Sequence, residues 1–156
     1  MGYVEAEGDL LGLSFSAIGH GCTTSGSTGG RIARAVRLRY PEMHTAYVDR
    51  CATGDFGLGD LLVWDTGDIV FYHLATQVDP GPEARLSAVR DTVGAALVDA
   101  ESRGIHRLGV PRLGTGPGGL AWADVRKALR EVSEDSPVEL VVVCLPPSKG
   151  ALGLTG

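Results

Sequence analysis

The chain has 156 residues, 44% of them apolar and 21% charged, proportions that suit one globular domain with a sizeable core and exclude wholesale disorder. Fourteen Lys and Arg against nineteen Asp and Glu leave a net charge of −5 with histidine neutral. That balance lacks the footprint of a phosphate-backbone binder, so no double-stranded DNA partner is expected, although a single nucleotide needs only a local set of donors. The 23 glycines are about twice the usual share of roughly 7%, and they cluster, which points to special backbone geometry in particular loops.

Residues 3–11 read as a strand running into a turn at Gly8-Asp9, and residues 15–18 as a second, short strand. Residues 19–30 are small and polar and read as a loop that contains His20, Cys22 and Thr23. Ile32, Val36 and Tyr40 share one helical face, and Pro41 ends that helix. Residues 60–64 and 69–75 predict two strands joined by the hairpin turn Asp65-Thr66-Gly67-Asp68. After the break at Pro80-Gly81-Pro82, Leu86, Val89, Val93 and Leu97 mark a long amphipathic helix closed by Gly104. Residues 108–111 predict a short strand that enters a second glycine loop at 112–120. Trp122, Val125, Leu129 and Val132 mark a third helix, and the apolar run 138–145 predicts a buried central strand. The expected organisation is a single domain over 1–156 with a core of about 3–146 and a flexible, Gly-rich tail. Strands alternating with helices, plus one hairpin, predict an α/β fold with helices covering a mixed sheet.

The three cysteines, Cys22, Cys51 and Cys144, are odd in number and lack CxxC spacing. No two of His20, His44, His73 and His106 have metal-ligand spacing. Neither a disulfide scaffold nor a metal site is therefore expected. No apolar run approaches the roughly 20 residues of a membrane span, and no secretory segment opens the chain. A reduced, cytoplasmic protein with no membrane partner is expected. The twelve arginines against two lysines, Lys127 and Lys149, suggest a GC-rich, bacterial source.

Both glycine loops precede a helix, where backbone N–H groups converge on an anion and the helix start adds partial positive charge. Two such loops, Thr28-Gly29-Gly30 and residues 114–119, would grip a diphosphate between them; the alternative is that their glycines only make tight turns. Neither loop is a Walker A motif or a convincing GxGxxG. Asp9 is either an Asx-turn residue or an acceptor for an exocyclic amine. Arg31, Arg34, Arg37 and Arg39 form either a solvated face or, at Arg31, a phosphate contact. No elbow motif supports Cys22 beside His20 as a nucleophile.

Gly8-Asp9-Leu10 after the first strand, the loop at 19–33, Pro111-Arg112-Leu113-Gly114-Thr115-Gly116 and Leu120-x-Trp122 together resemble a macrodomain. The resemblance is to the subclass of the terminal ADP-ribose protein glycohydrolase and covers about residues 3–145. It implies a three-layer α/β/α sandwich that binds ADP-ribose with no further cofactor. Asp9 would take the adenine amino group, beside Leu10, and Leu145 would pack on the adenine face. Thr23 would lie near the ribose or phosphates, and Thr28, Gly29 and Gly30 would form the wall at the distal ribose. Arg112, Leu113, Gly114, Thr115, Gly116, Pro117 and Gly118 would form the diphosphate loop. In the vertebrate relative a hairpin lysine attacks the distal ribose, assisted by a loop aspartate. Here residues 60–77 hold no lysine, the aligned hairpin position being Asp65, and Gly118 stands where the aspartate would be.

The resemblance thus implies hydrolysis of mono-ADP-ribose from glutamate residues of modified proteins by a lysine-independent, substrate-assisted route. A carboxylate leaving group needs little acid assistance, so positioning and electrostatics suffice. His20, Thr28 and Thr115 are the candidates for placing the water. The alternatives are a non-catalytic ADP-ribose-binding module, or a deacetylase or phosphatase of a free ADP-ribose derivative.

Overall fold

The computed structural model describes residues 2–27 and 30–146. In chain order the elements are β1 (Tyr3–Glu7), β2 (Ala17–Thr23), α1 (Arg31–Arg39), α2 (Pro41–Ala52), β3 (Leu61–Asp65), β4 (Val70–Gln77), α3 (Leu86–Ser102), β5 (Arg107–Val110), α4 (Trp122–Ser133) and β6 (Glu139–Cys144). A 3-10 turn, Leu10–Gly12, follows β1. The strands form one sheet in the order β1-β6-β5-β2-β4-β3. Neighbours are parallel except β3 and β4, an antiparallel edge hairpin whose register runs from Leu61↔Leu74 to Asp65↔Val70.

Strand alternation sorts the apolar residues to two faces. Tyr72, Leu74, Val110, Leu140 and Val142 pack with Val89 and Val93 of α3 and Val125 and Leu129 of α4. Ile18, Phe71, Val141 and Val143 pack on the other face with Val36 of α1 and Met43 of α2. The result is the expected α/β/α sandwich, and burial on both faces explains why β6 is apolar almost throughout. A Cβ on Gly109 of β5 would meet Leu10 Cδ1 at 2.8 Å and the Phe15 ring at 3.0 Å. The bare backbone there lets Leu10 and Phe15 seat directly on the sheet, each burial contributing about 1.5–3 kcal/mol.

Three expectations are corrected. The first strand stops at Glu7, and residues 10–12 form the 3-10 turn. β2 runs through Thr23, so Gly19, His20, Gly21 and Cys22 belong to a strand rather than a loop. Gly19 and Gly21 serve strand packing: a Cβ would lie 3.2 Å from Val110 Cγ1 at Gly19 and 3.1 Å from Thr76 Oγ1 at Gly21. Pro41 not only ends α1 but opens α2, which the sequence pattern did not reveal. Tyr40, between the two helices, is held at φ −129°, ψ 71°, outside the helical region that a following proline disfavours. The remaining helices and strands appear where expected, and Gly104 takes the left-handed conformation, φ 72°, just beyond α3. The tail expected to fray falls largely in 147–156, outside the described residues. Among the described residues no helix is long and apolar enough to cross a membrane.

Candidate functional site

The parallel strands β2, β4, β5 and β6 deliver the segments after them to one side of the sheet, where they enclose a cleft of about 460 Å³. Ligands of open α/β sheets sit at this end of the strands. The start of α1 contributes Gly30, Arg31, Ile32 and Ala33, and the segment after β5 contributes residues 111–118. No side chain caps α1 and no acid occupies its first turn. Arg34 N is the first amide to bond back, to Gly30 O at 3.0 Å. The amides of Arg31, Ile32 and Ala33 have no acceptor among the described residues, as at a helix start with about half a positive charge.

The glycines of the second loop serve two different ends. A Cβ at Gly118 would lie 2.7 Å from Gly114 O and 2.8 Å from Ala84 Cβ, and one at Gly114 would lie 2.8 Å from Leu120 Cδ1. These glycines let the loop fold onto itself and onto the segment before α3. Gly116 has nothing within 4 Å of a built Cβ, so its bareness leaves the loop backbone approachable. Leu120 N donates to Gly114 O at 2.8 Å and Thr115 Oγ1 to Arg112 O at 2.8 Å, which fixes the turn. The amides of Gly114, Gly116 and Gly118 find no acceptor among the described residues. Arg112 stacks its guanidinium on the Trp122 ring at 4.8 Å, tying the loop to α4 and accounting for the Arg-Leu-Gly…Leu-x-Trp pattern. The cleft thus brings two groups of unpaired backbone donors together, an arrangement able to receive anions.

The remaining expected residues fall as follows. Leu10 and Leu145 line the cleft, Leu145 from its exposed rim. Asp9 stands outside the lining: its Oδ1 accepts from Leu11 N at 3.3 Å and lies 3.7 Å from Arg31 Nη2. The turn role is therefore present, while Oδ2 has no partner among the described residues. Thr23 lines the cleft with its hydroxyl engaged, donating to Ser27 O at 2.7 Å and lying 3.0 Å from Tyr47 Oη. Tyr47 in turn donates to Thr23 O at 2.7 Å, so this threonine pins the end of β2. Thr28 and Gly29 lie outside the described residues.

His20 lines the cleft but is buried, and burial holds its imidazole down at about 4, neutral at pH 7. Cys22 Sγ is 3.6 Å from His20 Nδ1. Burial pushes this thiol well above its ordinary value, the opposite of an activated nucleophile.

Asp65 is nowhere near the cleft. It ends the antiparallel strand β3, at the far end of the sheet, with Oδ1 accepting from Gly67 N at 2.8 Å and Oδ2 3.5 Å from Arg103. The hairpin residues that do reach the cleft are Thr76 and Gln77 of β4. Gln77 Nε2 donates to Asp79 O at 2.7 Å and Gly81 O at 2.9 Å, holding the turn that brings Pro80 and Gly81 into the lining. The sequence signal was the Pro80-Gly81-Pro82 break directly after an apolar strand. The described lining holds no Asp, Glu or Lys, and its permanent charges are Arg31 and Arg112.

The Macro domain family matches residues 20–129. A Mycobacterium tuberculosis protein named DNA ADP-ribosyl glycohydrolase is 31% identical over 153 residues, 96% of this chain and 43% of that protein. The Thermus aquaticus protein of the same name is 24% identical over 131 residues, 81% and 36% of the two. The chain thus spans less than half the length of these curated relatives. The solved macrodomain of Mycobacterium tuberculosis DarG superposes with a TM-score of 0.83 at 30% identity, covering 94% of this chain and 98% of that one. With a family match over residues 20–129, the chain belongs to the Macro domain family.

Proposed function

We propose that this chain binds ADP-ribose in the cleft and hydrolyses its bond to a modified macromolecule. One observation carries the reading: two groups of unpaired backbone donors, the start of α1 and residues 114–118, open into a single cleft of about 460 Å³. A diphosphate needs such a pair. Asp9 Oδ2 accepts from the adenine amino group, and Leu10 and Leu145 flank the ring. Gly30 and residues 112–118 hold the diphosphate, with Thr23 close by, and His20 faces the distal ribose. Thr115 and neutral His20 position the attacking water. With no carboxylate or lysine in the described lining, catalysis comes from positioning and from the substrate's own phosphate.

The carrier supported by the relatives' name is DNA. That name gives no support to the expectation, drawn from the net charge of −5, that double-stranded DNA is no partner. α1, beside the cleft, reads Arg-Ile-Ala-Arg-Ala-Val-Arg-Leu-Arg, four positive charges and no acid, a local field that a whole-chain sum conceals. A glutamate ester is the second reading, favoured by the same base-free lining, because a carboxylate leaves without acid assistance.

The test is release of free ADP-ribose from an ADP-ribosylated single-stranded oligonucleotide and from Glu-, Ser- and Arg-linked peptides, alongside calorimetry with ADP-ribose. Release from the oligonucleotide is expected. Release from the Glu-linked peptide alone establishes the second reading. Binding without release from any substrate makes the chain a binding module and overturns hydrolysis; no binding overturns the site.

A further inference from the structure

We propose that His20, Cys22 and His73 form a binding site for one divalent transition metal of the zinc class, set between β2 and β4 beneath the cleft. His20 and Cys22 are two residues apart on one face of β2, and His73 is the register partner of His20 on β4. One ligand atom from each of the three lies within 4.8 Å of the others. Nitrogen and sulfur bonded to zinc at about 2.05 and 2.3 Å with a tetrahedral angle are about 3.5 Å apart. His20 Nδ1 and Cys22 Sγ are 3.6 Å apart.

A second observation points to a ligand. His20 and His73 are only 4% and 2% exposed, yet His20 Nε2 and His73 Nδ1 have no hydrogen-bond partner among the described residues. Such orphaned buried nitrogens call for an explanation. Both residues line a small cavity of about 10 Å³, with Cys22, Arg37, His44 and Tyr47 among the residues around it, close to the least volume that holds one water. A metal held by His73 Nδ1, His20 Nδ1 and Cys22 Sγ gives His73 the partner it lacks among the described residues and leaves His20 Nε2 outside the coordination sphere. Two imidazoles and a thiolate suit zinc and its neighbours rather than magnesium or calcium, which want oxygen. On binding, the Cys22 S–H bond breaks, its proton goes to solvent, and the sulfur pair forms the bond to the metal. No spacing motif announced this set because the third donor comes from another strand. Since His20 and Cys22 also line the cleft, the metal fastens β2 to β4 under the proposed ADP-ribose site.

The test uses the full chain freed of metal by chelation, and neither readout involves ADP-ribose. Cobalt(II) is expected to give a thiolate-to-metal charge-transfer band that saturates at one ion per chain, and zinc is expected to raise the melting midpoint. Cys22→Ala and His73→Ala are each expected to lose both effects, while Cys51→Ala keeps both. Absence of the band and of the midpoint shift in the unaltered chain overturns the proposal without need of any variant. Retention of both effects in Cys22→Ala overturns it equally.

Discussion

Asp9 Oδ1 caps the 3-10 turn and faces Arg31, while Oδ2 has no partner among the described residues and is the atom proposed for the adenine. The ion pair is half exposed, so it contributes at most about 1 kcal/mol, and affinity rather than stability reports on the residue. Asp9→Ala is expected to weaken ADP-ribose binding by about 1–3 kcal/mol, the cost of a hydrogen bond to a charged acceptor; calorimetry showing unchanged affinity removes Asp9 from the site. The glycines of the second loop separate in the same way. Gly116→Val is expected to abolish binding with the melting midpoint unmoved, since its Cβ meets nothing. Gly118→Ala drives a methyl against Gly114 O and Ala84 and is expected to cost about 1–3 kcal/mol of stability by overpacking, read as a shift of the urea midpoint. Composition made the loop legible as a candidate phosphate cradle. It did not distinguish a glycine that admits a ligand from one that admits a neighbour, because the neighbours, Ala84 and Leu120, are set by the fold.

At the scale of elements, β2 shows where sequence reading stops. Its Gly-His-Gly-Cys core looked like loop because small residues mark turns in isolation, whereas here the missing side chains make room for Val110 and Thr76 from adjacent strands. α2 went unread because only Met43 and Tyr47 of its twelve residues are fully buried, too weak a stripe to show period. Pairing β2 with β4 places two histidines side by side, ring centroids 4.5 Å apart, and that pairing carries a pH dependence. Burial lowers the His20 imidazole from 6.5 to about 4 and that of His73 well below its ordinary value. The unfolded chain therefore binds more protons between pH 6.5 and 4, and stability must rise with pH across that window. In chelator, stability is expected to be fully present above about pH 6.5 and to fall as acid is added. His20 alone accounts for on the order of 3 kcal/mol by pH 4. Urea midpoints between pH 7 and 5, above the range where most carboxylates titrate, measure this; a flat profile there would show that neither ring stays neutral in the folded chain.

At the scale of the molecule, alternating apolar patterns and the turn signals at 65–68 and 80–82 made an α/β domain with helices covering a mixed sheet legible, while the three-layer arrangement came with the macrodomain resemblance. Net charge says less about the surroundings of the cleft. The sum of −5 is an average over surfaces, and it hides a helix of four arginines beside the cleft. Arg34→Ala, outside the cleft lining, is expected to slow release from an ADP-ribosylated oligonucleotide and flatten its salt dependence, while release from a short peptide stays unchanged; equal effects on both carriers would assign Arg34 to the fold. The chemistry proposed for the cleft makes a further demand on the whole chain, that no lysine take part. The chain has two lysines. Lys127 is exposed on α4 and does not line the cleft, and Lys149 lies outside the described residues. An amine nucleophile would open the distal ribose through a Schiff base, which borohydride reduces to a stable adduct. Water attack leaves nothing to reduce. The Lys127→Arg/Lys149→Arg variant is therefore expected to keep its rate on whichever carrier the unaltered chain cleaves, and borohydride added during turnover to leave the protein mass unchanged. A mass increase by one reduced ADP-ribose, mapped to either lysine, would replace water attack with covalent catalysis and bring that residue into the active site.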